Sequence, residues 1–177
     1  MAQFDFHGSS GEHLTSLPKY HQRRIEREFL RLRRLSERTD LIDFHRIQED
    51  HYLIHFRCRG MILDPRAGLE LSSHHVVGIQ IPEGRNEPFG PDHVTFVRPG
   101  NIFHPNIVPP TISLGSYLVS KTIDEVCQKV FEILTLRKCV LEGPACLNAE
   151  AAEWVRKHPD SVPTDTRHFV PERVRRY

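Results

Sequence analysis

Apolar residues recur at helical spacing in two stretches of this chain. The first stripe consists of Ile25, Phe29, Leu32 and Leu35. The second consists of Ile123, Val126, Cys127, Val130, Ile133 and Leu134. Such a one-sided repeat is typical of a helix that packs one face on a core. The two patterns predict a helix near residues 20–36 and another near residues 121–135.

Between these helices the apolar pattern changes to the period of a β-strand. The stretches with this pattern are 41–47, 51–58, 76–81 and 93–97. The second is the clearest, because Tyr52, Ile54 and Phe56 alternate with residues that would face the other side. Proline and glycine are frequent in residues 82–92 and 99–120, which predicts loops there.

A third helix is predicted after residue 148. Asn148 is a suitable N-cap, and Glu150 falls in the first turn, where negative charge is favourable. The order of helix, strands, long loop and helices predicts an α+β fold, with helices against one face of a four-stranded antiparallel meander. The expected organisation is a flexible N-terminal arm at 1–18, one domain at 19–160 and a C-terminal tail at 161–177.

The composition is that of one nearly neutral domain. The 24 Lys and Arg residues and 23 Asp and Glu residues leave a net charge of +1, so no global field favours nucleic acid. We expect no membrane span and no signal peptide, because there is no long apolar run or basic-then-apolar N-terminus. The four cysteines form no CxxC pair, which favours a reduced, cytoplasmic location.

Twelve histidines raise the question of a metal site. His51 and His55 share one face of a predicted strand, whereas the adjacent His74 and His75 would point in opposite directions. No HExxH motif or Cys/His set completes a tetrahedral site. We therefore expect no metal and no cofactor.

The most informative motif is His104-Pro105-Asn106-Ile107, followed by Ile112-Ser113-Leu114-Gly115. It resembles the active-site strip of ubiquitin-conjugating enzymes, in which a cysteine at the position of Ser113 carries a modifier protein as a thioester. Two further stretches are similar to that family, namely Pro88-Phe89-Gly90-Pro91 before Val94-Thr95-Phe96, and Leu147-Asn148-Ala149-Glu150. With the basic first helix, they extend the resemblance across residues 20–158 and imply the ubiquitin-conjugating fold.

The chain departs from the family pattern at the position that matters most. A serine hydroxyl is a poor nucleophile without an adjacent base, and its ester is a poor acyl donor to amines. Asp92 also stands where the family usually has a second proline, and fewer residues than usual separate Ile107 from Ile112. Two explanations for Ser113 stay open: natural loss of the chemistry, or an isosteric substitution of a catalytic cysteine that traps a stable complex.

The candidate catalytic residues implied by the resemblance are Ser113, Asn106 and His104. Asn106 either donates its amide to the oxyanion of the tetrahedral intermediate or staples the active-site loop through backbone hydrogen bonds. His104 is expected to be a structural hydrogen-bonding residue rather than a base. Cys139 and Cys146 lie near the active-site loop in the family fold, and we expect Cys146 to be a partly buried structural residue.

The first helix carries a row of arginines, of which the candidate partner-binding residues are Arg24, Arg27, Arg31 and Arg34. In the family this helix binds the activating enzyme, so the resemblance implies a docking surface. The other interpretation is a solvated face whose arginines pair with Glu26 and Glu28.

The leading hypothesis is a ubiquitin-conjugating-type carrier. It accepts a ubiquitin-like modifier from an activating enzyme and passes it to an amine, here with Ser113 replacing the thioester-forming cysteine, so the chain as written is inactive. The implied partners are the modifier, the activating enzyme, and a ligase or target protein. The alternative is a non-catalytic binding module of the same fold. A third hypothesis is an unrelated adaptor with a basic helix.

Overall fold

The structure is a computed structural model that describes residues 17–114 and 122–169. The helices in these residues are α1 (Lys19–Ser36), α2 (Ile123–Leu134) and α3 (Ala149–Lys157). The strands are β1 (Ile42–Arg46), β2 (His51–Phe56), β3 (Gly60–Asp64), β4 (Gly68–Ser72), β5 (His75–Gln80), β6 (Val94–Arg98), β7 (Ile107–Val108) and β8 (Thr111–Ile112). Apart from Leu17 and Pro18, the predicted N-terminal arm lies outside the described residues.

Four of the strands form one antiparallel sheet in the order β1-β2-β5-β6. The register pairs Phe44 with Ile54, Ile54 with Val77, and Val77 with Phe96. Alternate residues of β2 from Tyr52 to Phe56 are fully buried, as the strand period predicts. The predicted α+β class is confirmed: the sheet has four antiparallel strands, and helices precede and follow these strands in the sequence.

The sheet is not a simple meander, because a hairpin is inserted between β2 and β5. Strands β3 and β4 pair with each other as a separate two-stranded sheet. Asp64 closes the turn by accepting hydrogen bonds from the N–H groups of Arg66 and Ala67, at 2.7 and 2.8 Å, and Gly68 adopts a φ of 84°. Several apolar side chains of this hairpin are exposed, Leu71 by 66%. The hairpin therefore lacks the one-sided apolar period that predicts a strand.

Helices α1 and α2 contact each other and bury their apolar faces against the same side of the sheet. Their buried residues and the inward side chains of the four strands form one hydrophobic cluster. Glu28 is fully buried on α1 and accepts a hydrogen bond from the N–H of Ile123 at 3.0 Å. This bond satisfies a helix N-terminal donor that α2 itself leaves unpaired. No helix in the described ranges is long and apolar enough to cross a membrane.

Helix α3 packs on a second, smaller cluster. Its Ala151 and Val155 join Met61, Phe103 and Leu136 there. The predicted N-cap is confirmed, because the side chain of Asn148 accepts a hydrogen bond from the N–H of Ala151 at 3.0 Å. This cluster places the start of α3 beside the loop that follows β6.

Residues 162–169, called the C-terminal strap here, fold back onto the domain. Phe169 is 5% exposed, and its ring centroid lies 4.9 Å from that of Phe131 and 6.3 Å from that of Phe56. Arg137 donates two hydrogen bonds, of 2.9 and 2.6 Å, to one backbone carbonyl of the strap. Packing against the domain thus continues to Phe169, within the segment predicted as a C-terminal tail.

Candidate functional site

The His-Pro-Asn motif and Ser113 meet at the hairpin formed by β7 and β8. Ile107 pairs with Ile112, and both are buried, so the hairpin is anchored in the core. The backbone N–H of Ser113 donates to the carbonyl of Asn106 at 2.8 Å. The two candidate catalytic residues are therefore adjacent in space.

A groove of about 200 Å³ lies beside this hairpin. It is lined by Asn106, Ser113, Leu114, Lys129, Glu132, Ile133, Lys138, Cys139 and Val140. The prediction that Asn106 and Ser113 share one groove is confirmed. Sequence reasoning missed Lys129, Glu132 and Lys138, because nothing local indicates that the polar edge of α2 and the loop after it turn toward the hairpin.

The Asn106 side chain is 1% exposed, and its amide group forms its hydrogen bonds with backbone groups of the same chain. Its amide nitrogen donates to the carbonyls of Val140 and Ala145, at 2.9 and 2.8 Å, and its Oδ1 accepts from the N–H of Val140 at 2.9 Å. Both amide hydrogens are thus committed, and donation to an oxyanion requires one of these bonds to be exchanged. In this geometry Asn106 staples the loop at residues 140–145, and Val140 at the start of this loop lines the groove.

His104 is 1% exposed and is hydrogen-bonded through both ring nitrogens. Nε2 donates to the carbonyl of Ile133 at 2.8 Å, and Nδ1 accepts from the N–H of Asn106 at 3.0 Å. A ring nitrogen that accepts from a backbone N–H carries no proton, so the imidazole is neutral. Burial lowers the pKa of His104 to about 4. These two bonds connect the hairpin to the end of α2 through His104.

This buried histidine makes stability depend on pH. The pKa of His104 is about 4 in the folded protein and 6.5 when unperturbed, so the unfolded state binds more protons between these values. Stability is therefore retained above pH 6.5 and falls as the pH drops toward 4. From pH 7 to pH 5, this residue is expected to lower the free energy of unfolding by about 2 kcal/mol, measured by urea titration.

Two variants isolate this contribution. His104→Gln removes the titrating group, so its stability should fall less than that of the parent protein between pH 7 and pH 5. His168→Gln, at an exposed position, should retain the parent slope. Equal slopes in all three proteins would show that His104 does not titrate in this way.

The neighbours of Ser113 decide which chemistry is available to it. Glu132 and Lys138, which line the groove, form an ion pair at 2.7 Å. No histidine of the described chain lines this groove. Ser113 is half-buried, and the described part of the groove offers it no imidazole base of the kind that commonly activates a serine nucleophile.

The cysteines divide into two buried and two half-buried residues. Cys58 and Cys127 are fully buried, and burial raises the pKa of Cys58 to about 12. Cys139 lines the groove, but burial raises the pKa of its thiol, which disfavours the reactive thiolate. Cys146 is half-buried, and its Sγ lies 3.8 Å from the carbonyl of Asn148. This arrangement agrees with the structural role expected for Cys146.

Arg24 does not belong to an exposed docking face. It is 5% exposed, and its guanidinium donates to the carbonyls of Gly84 and Glu87 at 2.7 and 2.6 Å. The same group lies over the ring of Phe89, 5.6 Å from its centroid. Arg24, one of the predicted partner-binding residues, therefore holds the loop before β6 against α1.

The other three candidate arginines of α1 differ in exposure. Arg27 and Arg34 are exposed. Arg31 is half-buried and lies within ion-pair distance of Asp124 and Glu28, at 3.6 and 3.8 Å. Arg27 and Arg34 are thus the members of the predicted face that are most accessible to a partner.

Histidines on the outer face of the sheet form a small group. Nδ1 of His55 lies 3.0 Å from Nε2 of His74, and the ring centroids of His45 and His55 are 5.0 Å apart. Burial, together with the two neighbouring histidines, lowers the pKa of His55. His51 is separate and contacts Asp50 at 2.9 Å. Within residues 17–114 and 122–169, no group of three or more potential ligands is arranged to hold a metal ion.

No protein-family model matches this chain, and no curated protein matches it. The fold and the groove therefore carry the functional argument. They define an α+β domain in which a buried His-Pro-Asn turn presents Ser113 at a groove between a hairpin and a helix.

Proposed function

We propose that this chain is a ubiquitin-conjugating-type domain that binds a ubiquitin-like modifier at the groove beside Ser113. A carrier of this type receives the modifier from an activating enzyme and passes it to an amine. With a serine at the nucleophile position, the domain as written holds and positions the modifier without efficient transfer. The observation that carries the proposal is the 2.8 Å bond between the Ser113 N–H and the Asn106 carbonyl, beside one groove.

The surroundings of Ser113 support a carrier position. Ile112 and Leu114 on either side of it are buried, so the backbone at Ser113 is held firmly while its side chain borders the groove. Cysteine and serine differ only in the terminal atom, so a thiol at this position would occupy the same place. A second support is α1, where the exposed Arg27 and Arg34 offer positive charge to an activating enzyme.

The test is to give the Ser113→Cys protein an activating enzyme, its ubiquitin-like modifier and ATP. We expect a covalent adduct that a reducing agent cleaves, because a thiolate attacks and leaves far better than an alkoxide. The Ser113 protein should give no adduct, or one that survives thiol and is hydrolysed by mild base. Gel analysis with and without reductant distinguishes these species.

A matched control is Ser161→Cys, which adds a thiol at an exposed position outside the groove. It should remain unmodified under the same conditions. If Ser113→Cys also stays unmodified while the activating enzyme demonstrably charges itself, the carrier proposal fails.

The alternative function is a non-catalytic binding module. Two observations favour it: none of the described residues that line the groove is a histidine, and the Asn106 amide is fully used in holding the loop. In this case Ser113→Cys forms no adduct, but the unmodified chain still binds the modifier or the activating enzyme, as a pull-down with purified partners would reveal.

A further inference from the structure

We propose that a second cavity, lined by residues other than those of the Ser113 groove, binds a small polar molecule that carries a phosphate group. The cavity has a volume of about 680 Å³, within the range of small-molecule sites. It is lined by Arg57, Cys58, Arg59, Ser73, His74, Thr164, Asp165, Thr166 and Arg167. None of these residues lines the groove at Ser113, so the inference is independent of the proposed function.

The cavity has a surplus of positive charge. Of the described residues, three arginines and one carboxylate, Asp165, line it, although the whole chain has a net charge of only +1. Three segments bring these residues together: the connection between β2 and β3, the turn before β5, and the C-terminal strap. The concentration of guanidinium groups is therefore a product of the fold rather than of a basic run in the sequence.

Asp165 neutralises only one of these arginines. Its Oδ1 and Oδ2 accept from Nε and Nη2 of Arg167 at 3.0 and 2.6 Å, and its Oδ2 also accepts from the backbone N–H of Arg59 at 3.3 Å. The Arg167 guanidinium holds the pKa of this buried carboxyl near 2. Asp165 is thus charged and fully engaged, and it positions the strap rather than balancing the remaining arginines.

The other two arginines have donors to spare. The Arg57 guanidinium donates to the carbonyl of Asp40 at 2.9 Å and lies 3.5 Å from the exposed Asp43 carboxylate. The Arg59 side chain is exposed, and it forms no ion pair or hydrogen bond with any residue in the described part of the chain. Two guanidinium groups at a cavity wall are suited to a phosphate, whose oxygens accept paired N–H bonds.

The rest of the lining indicates what the phosphate is attached to. Ser73, Thr164 and Thr166 add hydroxyl groups. Among the described residues that line the cavity, none is Val, Leu or Ile, and only His74 carries a ring. An acyl chain needs a predominantly apolar pocket, which this lining does not form. The chemistry therefore favours a hydroxylated molecule such as a sugar phosphate.

Isothermal titration of the full chain with ribose 5-phosphate at low salt tests this proposal. We expect saturable binding that free ribose does not reproduce and that inorganic phosphate competes away. Arg59→Gln should weaken the affinity about tenfold or more, as loss of a charge-assisted contact does. Because the Arg59 side chain is exposed and forms no hydrogen bond or ion pair with a described residue, this variant is expected to fold normally, which thermal unfolding verifies.

The matched control is Arg66→Gln, which removes the same charge from the exposed turn between β3 and β4, outside the cavity lining. Its affinity should stay within about twofold of the parent value, since isolated surface charges act weakly at a distance. Equal weakening in both variants would show general charge attraction and overturn the proposal. An absence of saturable binding at millimolar ligand, or an unchanged affinity in folded Arg59→Gln, would overturn it as well.

Discussion

Replacing Phe169 with alanine is expected to lower the free energy of unfolding by about 3 kcal/mol or more, as is typical when a buried phenylalanine is truncated. Phe169 is 5% exposed and lies between the rings of Phe131 and Phe56. Its removal leaves a cavity that the surrounding helix and strand can fill only by moving. Urea unfolding at neutral pH measures the effect.

Two further variants separate core packing from a general effect of substitution. Phe169→Leu retains most of the buried apolar volume and should recover a large part of the lost stability. Leu71→Ala, at a residue that is 66% exposed, should change stability by less than about 0.5 kcal/mol. Parent-like stability of Phe169→Ala would mean that the strap does not pack on the core in solution.

Replacing Asn106 with alanine is expected to cost about 3 kcal/mol, because each hydrogen bond that leaves a buried partner unsatisfied costs about 1–3 kcal/mol and water can replace part of the loss. The change removes three hydrogen bonds of 2.8 to 2.9 Å to Val140 and Ala145. It also releases Val140, which lines the groove beside Ser113. Urea unfolding measures the stability, and proteolysis near residue 140 reports the freed loop.

An exposed asparagine provides the control for this effect. The Asn101 side chain donates one hydrogen bond of 3.2 Å to the carbonyl of Leu63. Asn101→Ala should lower the free energy of unfolding by less than about 1 kcal/mol. Unchanged stability in Asn106→Ala would contradict the staple role seen in the structure.

The same substitution distinguishes the two roles of Asn106 in the Ser113→Cys protein. If Asn106 only holds the loop, adding Asn106→Ala should slow loading and discharge to an amine by similar factors. If the amide is released to stabilise the oxyanion during discharge, that step should slow by about 10²–10³-fold and loading by much less. Single-turnover rates of the two steps decide between these outcomes.

Local periodicity was sufficient to predict the elements that bury one continuous face. Helix α1, helix α2 and strand β2 each place apolar residues at the spacing that their backbone geometry imposes. The N-cap at Asn148 was predictable for a similar reason, because its side chain bonds to a donor only three residues away. These features depend on residues that are close in the chain, so they can be predicted from the local sequence.

The inserted hairpin and the strap could not be predicted in this way. The β3 and β4 hairpin keeps part of its apolar surface exposed, with Leu71 as the clearest case, so its pattern is not one-sided. The strap depends on contacts between residues more than a hundred positions apart in the sequence, such as the hydrogen bond from Arg167 to the carbonyl of Arg57. Contacts between residues so far apart in the sequence produce no periodic pattern of apolar residues in the local sequence.

For the candidate site, the expectation that Asn106 and Ser113 share one groove came from the family resemblance. The β7–β8 hairpin that brings them together lies in a stretch that the sequence predicted as loop. Only the tertiary structure decided that the Asn106 amide is consumed by the loop at residues 140–145 and that Arg24 is buried. The arginine cavity likewise forms only in the folded domain, where three separate segments of the chain come together. The reason is physical: burial and hydrogen-bond partners are set by which distant surfaces pack together, and that choice depends on the free energy of the whole domain.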